Sequence, residues 1–126
     1  MVADDDAAMR DTLCELVSGP DVEVTSVSSG DALIIALAEG PAVDLLITDV
    51  RMPWMSGLQV SLSARNSGIA FPIILITAFP DDTLRQQVDH LGHAFLLEKP
   101  FPPEQLLSLV RACLSPSEAG RPIAQQ

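Results

Sequence analysis

"DLLITD", residues 44–49, is an unbroken β-prone run that ends on a carboxylate. Polar alternation would mark a strand with one wet face. Its absence predicts a strand buried on both faces, as in a parallel sheet with a layer of helices on each side. "PIILIT" at 72–77 repeats the pattern and ends on a hydroxyl. "VEVTSV" at 22–27 alternates, as a strand nearer a sheet edge does; "AFLL" at 94–97 supplies a fifth strand and "MVA" at 1–3 the short remainder of a first.

Helical spacing fills the intervals: Met9, Leu13, Leu16 and Val17; Leu33, Ile34 and Leu37; Leu84, Val88 and Leu91; Leu106, Leu107, Val110 and Leu114. Each set gives a helix one apolar face to bury. Ser28 or Ser29 is placed to cap the second helix, and Asp81 or Asp82 the fourth. Pro102–Pro103 can open the fifth, where a missing N–H costs little. The third helix, "GLQVSLSARNSG", offers only Leu58, Val60 and Leu62. Five strands alternating with five helices predict an α/β domain, doubly wound and flavodoxin-like, with parallel strand order 2-1-3-4-5. It occupies residues 1–115, and the Pro-, Gly- and Ser-containing residues 116–126 read as a flexible tail or the start of a linker.

The 126 residues suffice for one domain with a single sizeable core, and 48% of them are hydrophobic. No apolar run is long enough to cross a bilayer, and no basic segment precedes an apolar one at the N-terminus, so a cytoplasmic protein is expected. A net charge of −10 with 7 basic residues opposes binding to nucleic-acid phosphates. Cys14 and Cys113 sit in apolar helical patterns without metal-ligand spacing and read as small buried hydrophobes. His90 and His93 lack a second ligand pair and suit a surface or turn.

In such folds ligands gather at the carboxyl ends of the strands. There the sequence places Asp4 and Asp5 after the first strand, Asp49 after the third, Thr77 after the fourth and Lys99 after the fifth. Any one alone would be an ordinary turn former, strand residue or surface lysine. An acidic run such as Asp4–Asp6 is by itself most simply a solvated turn capping a helix near Ala7. Together they have chemical sense. Two carboxylates about 4 Å apart repel by roughly 4 kcal/mol at an effective dielectric near 20, so a cation is expected among them. Three carboxylates suit a hard divalent ion such as Mg²⁺ or Mn²⁺. A carboxylate on a rigid strand can also attack phosphorus to give an acyl phosphate, whose charge Lys99 would offset and whose oxygens Thr77 could hydrogen-bond.

"VADDDAA", "LLITDVRMPWMSG", "PIILITA" and "LLEKPF" resemble the successive motifs of response-regulator receiver domains, the phosphoacceptor halves of two-component signalling. The resemblance covers about residues 2–114. It implies that Asp49 is the phosphoacceptor, that Asp4, Asp5, Asp49 and the backbone carbonyl of Arg51 bind the metal, and that Thr77 is the switch hydroxyl and Lys99 the phosphate-binding lysine. Pro53 and Gly57 match the loop after the phosphoacceptor, and the Lys99–Pro100 bond is implied to be cis. The implied partners are a histidine kinase or phosphotransfer protein, a downstream protein target or output domain, and a second copy through the fourth helix, fifth strand and fifth helix. Such a module assists its own phosphorylation without being a turnover enzyme.

The sequence departs from that family at several points. Leu96 stands where an aromatic residue is usual, three positions before the lysine, and neighbouring Phe95 would point to the opposite face. Trp54 lies in the loop after Asp49, either packing over Met52 or Met55 or contacting a partner. Phe79 is placed to cover part of the site. The first strand is short, which predicts weakened central pairing. Two further function classes share the fold: an interaction module that works without phosphorylation, and a metal-dependent phosphotransferase for small molecules. For the latter the chain has little beyond the core from which to build a substrate pocket.

From the charge balance, the chain alone is expected to give no DNA mobility shift at physiological salt. A shift that weakens steeply with added salt would reveal a local basic surface hidden in the totals.

Overall fold

The computed structural model describes residues 1–114, so the expected tail lies outside the described residues. The elements run β1 (Val2–Ala3), α1 (Ala7–Val17), β2 (Ser26–Val27), α2 (Gly30–Glu39), β3 (Leu46–Asp49), α3 (Gly57–Asn66), β4 (Ile73–Thr77), α4 (Asp82–Leu91), β5 (Ala94–Glu98) and α5 (Pro103–Leu114). All strand pairs are parallel, in the order β2-β1-β3-β4-β5, as the sequence predicts.

Every residue of β3 and β4 is buried, which is what continuous apolar strands require. Their side chains feed two separate cores, one on each face. Leu45, Ile47, Ile74, Ile76 and Leu97 pack with Leu13 and Val17 of α1 and Leu106 and Val110 of α5. Leu46, Ile73 and Leu75 pack on the other side with Leu33 of α2, Val60 of α3 and Leu84, Val88 and Leu91 of α4. Burying each Leu, Ile or Val contributes on the order of 1.5–3 kcal/mol, so the sheet is fixed from both sides.

β1 is short yet buried, and it pairs on both edges: the Val2 amide donates to Thr25 O at 2.8 Å and the Ile47 amide to Met1 O at 2.9 Å. β2 is shorter than the predicted 22–27. An edge strand can extend its ladder only as far as its single neighbour runs, and the pairs with β1 are Val2 with Ser26 and Ala3 with Val27.

The caps resolve the open alternatives. Ser29 caps α2 and Asp81 caps α4, while Ser56 and Gln59 form a reciprocal capping box on α3. The buried face of α3 is Gly57, Val60, Ser61 and Ala64; of the three apolar residues the sequence offered, Val60 is buried, Leu58 is half-buried against the core and Leu62 is 38% exposed. Glycine is required at 57 because α3 starts hard against β3. The Gly57 amide donates to Val50 O at 2.9 Å, and a Cβ on Gly57 would overlap the Asp49 carbonyl oxygen and lie 2.6 Å from Thr48 Oγ1. Cys14 and Cys113 are free thiols, half-buried rather than buried. His90 is exposed in the last turn of α4 and His93 is exposed in the turn before β5.

Gly57→Ala must therefore push α3 away from the end of β3, at a cost of about 1–3 kcal/mol. Thermal unfolding followed by circular dichroism checks this; an unchanged melting temperature would mean the loop yields freely.

Candidate functional site

The carboxyl edge of the sheet collects the polar groups that its buried strands exclude. Asp4 follows β1 directly, is fully buried, and is tied to the edge strand by its amide, which donates to Val27 O at 3.1 Å. Asp49 ends β3 and is 9% exposed. Asp5 is exposed at the rim. One carboxylate oxygen from each of Asp4, Asp5 and Asp49 lies within 4.8 Å of the others. The third aspartate of the run does a different job: Asp6 is the N-cap of α1, accepting from the amides of Ala8 and Met9. The capping expected of the acidic run is thus made by Asp6, while Asp4 and Asp5 join Asp49.

Lys99 follows β5 and brings its ammonium 3.7 Å from Asp49 Oδ2 and 4.0 Å from Asp4 Oδ2. The Lys99 amide donates to Thr77 O at 2.8 Å, and the Lys99–Pro100 peptide is cis. Thr77 is buried at the end of β4, where its Oγ1 accepts from the Phe79 amide at 3.0 Å. That bond uses an acceptor lone pair and leaves the hydroxyl proton available to donate.

One ammonium faces three carboxylates, so the ionised cluster carries an excess of two negative charges. Burial pushes the Asp49 carboxyl above its ordinary range, opposed by Lys99 and by the Arg51 and Val50 amides. Burial also raises Asp4, with the neighbouring Asp49 and Asp5 charges adding to the rise, while the Asp6 amide and Lys99 oppose it. Asp4 Oδ1 accepts from the Asp6 amide at 2.9 Å, but Asp4 Oδ2 is buried with no hydrogen-bond partner. A buried oxygen left without a donor, among acids with too few positive charges, fits a hard divalent cation.

Two contacts escape sequence reasoning. The Arg51 side chain leaves the site and lies over Phe79, with Cζ 4.8 Å from the ring centroid, joining the loops that follow β3 and β4. Phe79 itself remains 64% exposed. Arg10 Nη1 donates to the Asp4 carbonyl at 2.8 Å, fixing the start of the acidic run. Trp54 packs over neither methionine: it is 88% exposed, at φ 74°, at the centre of a tight turn in which the Met55 amide donates to Pro53 O at 2.8 Å. Leu96 lies half-buried in the core beneath α4 and Phe95 is at the opposite surface, as strand alternation requires.

The family model for the response regulator receiver domain matches residues 1–111. The transcriptional regulatory protein FixJ of Azorhizobium caulinodans is 37% identical over 123 residues, covering 95% of this chain and 57% of that protein. The chain thus spans little more than half the length of such curated relatives. A response regulator receiver protein from Pseudomonas putida is 31% identical with a TM-score of 0.78, covering 87% of this chain and 92% of that one. Chemotaxis protein CheY4 of Vibrio cholerae is 27% identical with a TM-score of 0.79, covering 90% and 95%.

Both raised carboxyl groups bind protons more tightly in the folded chain than in the unfolded one. The metal-free protein therefore loses stability as pH rises from about 4 through those raised values. Asp49→Asn removes part of it, so the variant is expected to melt a few degrees above wild type at pH 7 without metal, with the gap closing toward pH 4. Parallel melting curves across that range check the sign.

Proposed function

The chain belongs to the response regulator receiver domain family of two-component systems, and we propose that it is switched by Mg²⁺-dependent phosphorylation of Asp49 from a histidine kinase or phosphotransfer protein. The observation that carries this is the convergence of Asp4, Asp5 and Lys99 on the Asp49 carboxylate at the end of a rigid, fully buried strand.

In the proposed reaction an Asp49 carboxylate oxygen forms a bond to phosphorus as the phosphorus–nitrogen bond of the donor imidazole breaks, and the imidazole nitrogen departs with the electron pair. Asp4, Asp5, Asp49 and the Arg51 carbonyl would hold the Mg²⁺, which when bound would supply positive charge to offset that of the incoming phosphoryl group. Lys99, 3.7 Å from Asp49 Oδ2, balances the remaining charge. Thr77 donates its hydroxyl proton to a phosphoryl oxygen, which draws the loop after β4 toward Asp49. Phe79, held by Arg51, restricts the approach of water to the acyl phosphate. The chain contributes to its own phosphorylation and dephosphorylation without turning over a free substrate.

Leu96 beneath α4 has no ring with which to fill space vacated by Thr77. The signal accordingly leaves through the β4–α4 loop and α4 to the face shared by α4, β5 and α5, where a downstream partner or a second copy would dock. No helix among the described residues is long and apolar enough to cross a membrane.

Intact-mass measurement after incubation with acetyl phosphate and Mg²⁺ should show one added phosphoryl group in wild type and none in Asp49→Asn. Full addition in the variant would refute the assignment. Absence of addition in wild type, with partner binding intact, would favour the phosphorylation-independent module. Asp5→Asn is expected to weaken Mg²⁺ binding at least severalfold, because carboxylate charge is the main attraction for the ion; titration calorimetry measures it.

A further inference from the structure

At the end of α4 remote from the phosphorylation site, one side chain gathers an unusual number of backbone acceptors. Arg65, in the last turn of α3, donates from Nε to Leu91 O and Gly92 O, both at 3.2 Å. Its Nη2 donates to Gly92 O and His93 O, both at 3.0 Å. Its Nη1 donates to Ile69 O at 2.9 Å. The acceptors are the last residue of α4, its C-cap, the residue before β5, and one residue of the α3–β4 connection.

The turn is shaped to present them. Gly92 at φ 70° and His93 at φ 52° are consecutive left-handed residues, a conformation an L side chain such as that of His93 enters at a cost. His93 is further held by Nδ1 against Ala70 O at 3.2 Å, and its carbonyl also accepts from the Ile73 amide at 3.1 Å, at the start of the β4–β5 ladder. A planar guanidinium with five donors in a fixed fork suits this set, and its positive charge meets the negative end of the α4 dipole. No carboxylate lies within ion-pair distance of Arg65 among the described residues; carbonyls alone hold it.

The opposite end of α4 is held differently. Its cap is internal, with Asp81 accepting from the Leu84 amide at 2.7 Å. Beyond that, Phe79 is largely exposed and touches Arg51 by its ring face. The helix between buries Leu84 in its first turn as deeply as Leu91 in its last, so packing does not distinguish its two ends; the Arg65 fork, present at the C-terminal end alone, does. The helix has a firm end and a loose end, and the loose end is the one joined to Thr77.

We propose that Arg65 is the positioning residue that makes the C-terminal end of α4 a fixed pivot, so that the phosphoryl signal from Asp49 tilts the helix about Leu91–His93 rather than sliding or melting it. This rests on the receiver reading above. The fork locks α4 to α3 and to the entry of β5 at once, leaving only its N-terminal turns free to follow the Thr77 loop.

The test uses the full chain with beryllium trifluoride and Mg²⁺ as the phosphoryl mimic, and compares amide chemical-shift changes along residues 79–94. In wild type the changes should be large at 79–85 and several-fold smaller at 89–93. In Arg65→Ala they should extend through 89–93, with a lesser spread in Arg65→Lys, which keeps the charge but loses the fork. The lysine variant serves if the alanine variant does not fold. A loss of melting temperature alone would reflect packing; the mimic-induced profile is what separates a pivot from a mere brace. The pivot is overturned if Asp49 and its neighbours respond while 89–93 move as far as 79–85 in wild type, or if the Arg65 variants keep the wild-type profile. If no amide near Asp49 responds and acetyl phosphate adds no mass, the receiver reading falls and takes the pivot with it.

Discussion

A strand buried on both faces can carry polar side chains only where it leaves the core. β3 and β4 obey this constraint along their lengths, apart from Thr48, whose hydroxyl donates to the Asp49 carbonyl. Because all five strands run parallel, their exits lie along one edge, and the reactive groups of distant segments have no other place to go. The site is less an addition to the fold than the place where burial stops.

That concentration has an electrostatic consequence. Asp4 and Asp49 are removed from water beside one ammonium, and each is held protonated to a higher pH than an ordinary carboxyl. The hydrophobic energy of the two cores sustains this unfavourable arrangement. A cation held among these carboxylates would relieve it, which would tie metal affinity to the repulsion within the cluster. Truncating any one acid would lower the repulsion and the affinity together.

Much of this was legible in the residues, and the exceptions share a cause. Long apolar runs identified β3 and β4, and the stripes at Leu84, Val88 and Leu91 or Leu106 and Val110 identified α4 and α5. The inward face of α3 was not legible. Apart from Val60 its buried residues are glycine, serine and alanine, which hydrophobic periodicity does not register, and the demand for glycine at 57 comes from the carbonyl of Asp49 in another segment. β2 was overestimated because its length is set by its neighbour rather than by its own alternation. Of the site, the charged residues were legible through their strand-end positions. Arg65, Arg10 and the Arg51–Phe79 contact were not, since their partners are backbone carbonyls or a ring brought near by topology. A carbonyl acceptor leaves no mark in a sequence.

The exposure of Trp54 bears on how the molecule can be observed. The chain has one tryptophan and no tyrosine, and that single indole already stands in water on a tight turn in the loop that follows Asp49. Its emission is that of a hydrated ring in the native state and stays so when the chain unfolds, making global unfolding nearly silent in emission wavelength. What the fluorophore does register is the local surroundings of the loop after β3. The protein therefore carries an intrinsic optical probe that is blind to its core and attentive to its site.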